Sequence, residues 1–141
     1  MPNIVVDAGP MIALFDRGDL HHVRARDFLR GNAAARLITT SVVIGEVAAM
    51  LSYAQPNLFQ FMEWLMAAVE IDDALREDLP RIVEIMKKYS DLPADLADAS
   101  LVALCERRGI RTIASIDLDF DVYRLSRGRK FENVFFAPGG A

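Results

Sequence analysis

The sequence predicts an α/β fold in which a central parallel sheet of four to five strands is flanked by helices. Three observations lead there. Short runs rich in β-branched residues recur along the chain: Ile4-Val5-Val6, Leu37-Ile38-Thr39 and Thr112-Ile113-Ala114. Longer stretches with apolar residues at helical spacing separate them. The strand runs are apolar throughout instead of alternating, as expected where crossover helices bury both faces of a sheet.

The elements follow in order. Ile4 to Val6 reads as a buried strand ending at Asp7, and Gly9-Pro10 opens a short helix through Phe15, because proline suits a first helical turn. Asp19 to Leu29 reads as a second helix, with Leu20, Val23 and Leu29 inward and Arg24, Arg26 and Arg30 outward, stopped by Gly31-Asn32. After the strand at 37–39, Thr40 or Ser41 caps a helix from Val42 to Tyr53. Pro56 opens another, to Ala68, carrying Phe59, Met62, Leu65 and Met66. Val69 to Ile71 is a brief strand. Asp72 or Asp73 caps a helix to Tyr89, with Leu75, Leu79, Ile82, Val83 and Met86 as its apolar side and Pro80 as a kink or restart. Asp91-Leu92-Pro93 breaks the chain before a helix from Ala94 to Arg108, which Gly109 ends. The strand 112–114 and a last strand, Val134-Phe135-Phe136, complete the pattern.

With 141 residues, the chain has the size of one domain spanning 1–141, and no linker-like tract precedes Pro138-Gly139-Gly140. Hydrophobic residues make up 52% and charged residues 26%, which excludes a disordered chain. The net charge of −4 argues against a DNA-binding module but not against a nuclease whose acidic site holds cations. The lone Cys105 excludes an internal disulfide and reads as a core residue in a reducing cytoplasm. No stretch approaches the roughly 20 apolar residues of a membrane span.

Four carboxylates stand where such a fold puts its ligand site, beyond the carboxyl ends of the strands. Asp7 follows the first strand and Asp117 follows the strand 112–114. Asp98 lies in the first turns of its helix, with Asp95 one turn before it. Glu46 lies one to two turns into the helix after the second strand, among Ile44, Val47, Ala48 and Leu51, where a charge needs a reason. Each acid also has a plainer role: Asp7 and Asp117 as caps, Asp95 as a helix-dipole partner. Gathered on one rim they would repel, and a hard divalent cation such as Mg²⁺ removes that conflict. His21-His22 is no zinc site, since neighbours on a helix diverge and no further His exists.

At these residues the chain resembles the PIN-domain family, and more narrowly the VapC-type toxin ribonucleases of bacterial toxin–antitoxin pairs. Four ordered stretches carry the resemblance: Ile4-Val5-Val6-Asp7, Val43-Ile44-Gly45-Glu46-Val47, Asp95-Leu96-Ala97-Asp98-Ala99-Ser100-Leu101 and Ser115-Ile116-Asp117-Leu118-Asp119-Phe120. The resemblance implies a three-layer PIN-like fold with Asp7, Glu46, Asp98 and Asp117 as metal-binding catalytic acids. Ser115 matches the family's small hydroxyl residue, and Asp95 and Asp119 are supporting acids. It further implies dependence on Mg²⁺ or Mn²⁺, an RNA substrate, a homodimer and a small antitoxin partner. Gly9 is a departure, since many members carry Ser or Thr there.

Two further features bear on function. Arg107, Arg108, Arg111, Arg124, Arg127, Arg129 and Lys130 concentrate positive charge in the last third, either as a phosphate-guiding rim or as ordinary surface. Tyr53, Phe59, Phe61 and Trp64 form core or a groove for a partner helix. The rival reading is a non-catalytic PIN-like module that binds RNA or protein. An aspartyl-phosphate enzyme commonly has a second acid where Gly9 stands, and a response regulator needs a lysine better placed than Lys87, Lys88 or Lys130.

Overall fold

The computed structural model describes residues 1–92 and 94–137. Pro93 and the Pro138-Gly139-Gly140 tract lie outside them. Five strands form one parallel sheet: β1 (Asn3–Val6), β2 (Arg36–Thr40), β3 (Val69–Asp72), β4 (Thr112–Ala114) and β5 (Glu132–Asn133), in spatial order β3-β2-β1-β4-β5. Six helices flank it: α1 (Ala8–Phe15), α2 (His22–Gly31), α3 (Ser41–Leu51), α4 (Gln55–Ala68), α5 (Leu75–Lys88) and α6 (Leu96–Arg108). The central strands are buried along their length, with Val5, Ile38 and Ile113 fully enclosed, which is why they read as unbroken apolar runs. Among the described residues, no helix is long and apolar enough to cross a membrane.

Strand order reverses between β1 and β4. From β1 the chain steps outward to β2 and β3, then returns to the other side for β4 and β5. Such a reversal leaves a crevice at the carboxyl ends of the two strands. In register, Val6 pairs with Ala114, so the next residues, Asp7 and Ser115, emerge side by side at that crevice. Thr39 Oγ1 steadies the same rim from β2, donating to the Val6 carbonyl at 2.8 Å.

Several elements depart from the sequence expectation. Helix α2 begins at His22, not Asp19, because turns at 17–21 occupy the preceding segment and Asp19 Oδ1 accepts the His21 N–H at 2.8 Å. Its inward residues are Ala25 and Phe28, while Leu20 and Val23 are 90% and 66% exposed. β5 lies at Glu132–Asn133, and the expected strand at 134–136 is a tail that turns. Phe135 of that tail is fully buried and packs on Phe28 at 5.7 Å between ring centroids. Pro80 sits inside an uninterrupted α5, whose buried apolar residues are Ile82 and Ile85. Leu79, Val83 and Met86 face solvent. Gly109 ends α6 at φ 66°, a left-handed conformation that costs glycine little.

The C-terminal basic cluster is largely engaged. Arg107 pairs with Asp78 at 3.0 Å and Asp72 at 2.6 Å, and Arg108 pairs with Glu70 and Asp72, tying the last turn of α6 to β3 and α5. Arg111 donates to the Lys130 carbonyl, and Arg124 donates to the carbonyls of Asp121, Val122 and Tyr123. Arg107 and Arg108 thus tie elements of the fold together, while Arg111 and Arg124 brace the segment 121–130. The central aromatics also divide: Phe61 is core, whereas Tyr53 and Phe59 are 69% and 56% exposed.

Candidate active site

Asp7 caps α1 in an extended conformation, its Oδ1 accepting the Ala8 N–H at 2.8 Å. Its other oxygen accepts from Ser115 Oγ at 2.8 Å, and Ser115 Oγ in turn accepts the Asp117 N–H at 3.0 Å. One hydroxyl thus links the acid after β1 to the acid after β4. Asp117 caps the short 3₁₀ turn Leu118–Asp121 by accepting the Asp119 N–H at 2.8 Å. Asp95 caps α6 and accepts the Asp98 N–H at 2.8 Å. The capping and site readings of Asp7, Asp95 and Asp117 are therefore compatible: each cap fixes a carboxylate at the rim.

Asp98 is buried in the first turn of α6 and accepts from the Tyr123 hydroxyl at 2.9 Å. Carboxylate oxygens of Asp98, Asp117 and Asp119 lie within 4.8 Å of one another. Asp119, expected only to support, stands inside this trio. Glu46 is exposed on α3, on the side of Gly45 and Ala49, so its apolar neighbours in sequence do not surround it and the charge needs no special reason there. It is nonetheless close enough to Asp95 and Asp7 to feel their charge.

The electrostatics follow from crowding. Burial, then the charges of Asp117 and Asp95, hold Asp7 above the usual carboxylate range, against the hydrogen bonds from Ser115 and Ala8 that lower it. Burial and the neighbouring Asp7 push Asp98 up to about 7, while the Tyr123 hydroxyl pulls the other way. Partial desolvation, Asp95 and Asp7 raise Glu46, and desolvation with Asp117 raises Asp119. Among the described residues no Lys or Arg forms an ion pair with any of these acids. A cluster that has negative charge to spare, no cationic partner and oxygens this close is suited to a divalent cation.

Two contributors carry no sequence signal at the distances involved. Tyr123 reaches Asp98 from a loop 25 residues further on. Asn133 brackets Ser115: its Oδ1 accepts the Ser115 N–H at 3.2 Å, and its Nδ2 donates to the Ser115 carbonyl at 2.9 Å. Only the pairing of β4 with β5 reveals it. Gly9 also has a local cause, since a Cβ there would stand 3.1 Å from Ile116 Cδ1 and 3.2 Å from Ile116 Cβ. The histidines serve packing: His22 Nδ1 lies 2.7 Å from the Ala13 carbonyl, and His21 packs edge-on to Phe136.

The fold has counterparts among known proteins. The chain is 24% identical over 117 residues to ribonuclease VapC26 of Mycobacterium tuberculosis, covering 81% of this chain and 86% of the relative. VapC20 of M. tuberculosis, a toxin that cleaves the sarcin–ricin loop, superposes with a TM-score of 0.74 at 20% identity, covering 84% of this chain and 93% of its own. VapBC2 of Rickettsia felis, solved with a DNA fragment from its promoter, gives 0.63 at 11% identity over 93% and 98% of the two chains. A toxin–antitoxin complex of Klebsiella pneumoniae gives 0.59 at 14% identity over 98% and 95%. A model of the PIN domain matches residues 4–125, and with that match spanning most of its length the chain belongs to the PIN domain family.

Proposed function

We propose that this chain, read as one domain over 1–141, is a metal-dependent endoribonuclease and the toxin of a type II toxin–antitoxin pair. The observation that carries the reading is the trio of Asp98, Asp117 and Asp119 oxygens within 4.8 Å, beside Asp7 and without a basic partner. Asp7, Asp98 and Asp117 would hold Mg²⁺ or Mn²⁺, with Asp119 and Asp95 supporting and Ser115 fixing Asp7. The ion, when bound, lowers the pKa of a water and offsets charge on the scissile phosphate. Glu46, exposed on α3 near Asp95 and Asp7, would serve as a further ligand or orient the attacking water. Ser115 donates to one oxygen of Asp7, whose other oxygen accepts the Ala8 N–H, and Tyr123 donates to one oxygen of Asp98.

The family relatives support an RNA substrate and a small cognate antitoxin. A homodimer fits the exposed apolar stripe Phe59, Met62 and Met66 on α4. A cytoplasmic location is part of this reading, supported by the RNA substrate and the lone reduced Cys105.

The test is cleavage by purified, partner-free protein of hairpin RNAs, beginning with a sarcin–ricin loop, in Mn²⁺, Mg²⁺ or chelator. The native chain cuts with metal and not with chelator, and Asp7→Asn and Asp98→Asn, both folded, lose at least a hundredfold in rate. Cleavage that survives both substitutions removes these acids from the mechanism. Absence of both cleavage and metal binding leaves the non-catalytic module as the reading.

A further inference from the structure

At the far end of α1 from Asp7, a groove of about 1030 Å³ opens between α2 and α4. One wall is a stripe of α2 at successive turns, His22, Arg26 and Arg30; the other is Asn57, Gln60 and Trp64 of α4. Arg17 stands at its end. Arg17, Arg26 and Arg30 are exposed, and none forms an ion pair among the described residues. The contrast with Arg107 and Arg108, both held by carboxylates, is sharp. One acid lines the groove, Asp16, and its carboxylate is already engaged by the Gly18 N–H at 3.0 Å and the Tyr53 hydroxyl at 3.0 Å.

We propose that this groove binds a single-stranded segment of the RNA substrate, beside the nucleotides that enter the acidic site. The inference rests on the ribonuclease reading for its substrate but not for its chemistry. A net-negative chain repels RNA, so affinity draws on positive charge from a cation at the acidic cluster and from basic side chains elsewhere. Guanidiniums pair with phosphates, amides meet base edges, and an indole offers a stacking face. The groove combines all three. The eight residues of α1 separate it from Asp7 by about 12 Å along the helix axis, within reach of a short strand. Arg127, Arg129 and Lys130 are exposed as well, but the cleft that Arg129 lines measures only about 40 Å³ and shares its wall with Glu106.

The experiment uses fluorescence anisotropy of a labelled 12-nucleotide single-stranded RNA, with Asp98→Asn in every chain so that nothing is cut. Arg26→Ala/Arg30→Ala weakens binding at least tenfold and lowers the slope of log affinity against log salt by about 1.4, two phosphate contacts' worth. Arg26→Lys/Arg30→Lys keeps most of the slope. Asn57→Asp/Gln60→Glu, which adds charge without deleting side chains, gives a like loss and serves if the alanine pair fails to fold. Unchanged affinity and slope in folded variants overturns the proposal. So does loss of binding to an alternating Glu-Leu decapeptide with RNA binding intact, which would make the groove a protein site. Cleavage and metal binding by the native Asp98 chain are scored separately: absence of both with a groove-dependent RNA affinity ends the nuclease reading alone, and cleavage with a groove-independent affinity ends this proposal alone.

Discussion

Asp98 concentrates the conflict that metal resolves. A carboxyl whose value in the fold, about 7, exceeds its ordinary 3.8 binds its proton more tightly folded than unfolded. Its ionisation therefore weakens the fold progressively from pH 4 to 7 and fully above that. The metal-free native chain should lose about 2–4 kcal/mol between pH 5 and pH 8 relative to Asp98→Asn, measured by urea unfolding at each pH. Mn²⁺ competes with that proton, so its stabilising effect grows as pH rises through 7. Tyr123→Phe removes a donor that favours the ionised form, and the pH midpoint of Mn²⁺ binding should move upward; an unmoved midpoint excludes Tyr123 from the site's electrostatics. At Gly9, alanine gains up to about 1 kcal/mol of helix propensity but drives its Cβ against Ile116 Cβ, an atom fixed to the backbone. Crowding should win, costing Gly9→Ala about 1 kcal/mol net, with partial recovery in Gly9→Ala/Ile116→Val, which withdraws only Cδ1. Asp7, Asp98 and Asp117 stood out at this scale because each adjoins a strand or helix end that the local pattern marks, whereas Glu46, in the middle of α3, stood out for apolar neighbours that do not surround it. Tyr123 and Asn133 were not, since neither sits in a pattern that foretells its partner.

Elements were legible where burial is two-sided. β1, β2 and β4 are apolar runs because helices cover both faces, and no other reading suits them. Amphipathic faces were less so. Leu20 and Val23 suggested the inner side of α2, yet Ala25 and Phe28 take it, because the turns at 17–21 delay the helix start. β5 was displaced for a related reason: Phe135 is buried by packing on Phe28, not by pairing, so hydrophobicity marked the plug and missed the polar strand before it. The same blindness applied to Arg107, whose charge suggested a ligand surface while its partners lay on β3 and α5. Arg107→Ala leaves Asp72 and Asp78, both poorly exposed, without their main cation. The expected loss is about 2 kcal/mol in chemical denaturation, discounted from a fully buried pair because the arginine is about one-third exposed.

For the whole molecule, parallel topology was predictable from alternation, but strand order was not, and strand order makes the crevice. The sheet also leaves α4 presenting Phe59, Met62 and Met66 at 56%, 46% and 81% exposure, a contiguous apolar stripe suited to contact with a second chain. Sedimentation equilibrium should find a dimer that Phe59→Glu/Met66→Glu converts to monomer while far-ultraviolet dichroism is unchanged; a native monomer at micromolar concentration would exclude it. The bond from Ser115 to Asp7 spans 108 positions of chain, and it carries a consequence for biosynthesis. On the ribosome Asp7 and Glu46 emerge early, whereas Asp98, Asp117 and the Asn133 clamp come only with the final third. A nascent or prematurely terminated polypeptide has most of its helices but no assembled cluster, so the acids meet only once the final third of the chain has been made.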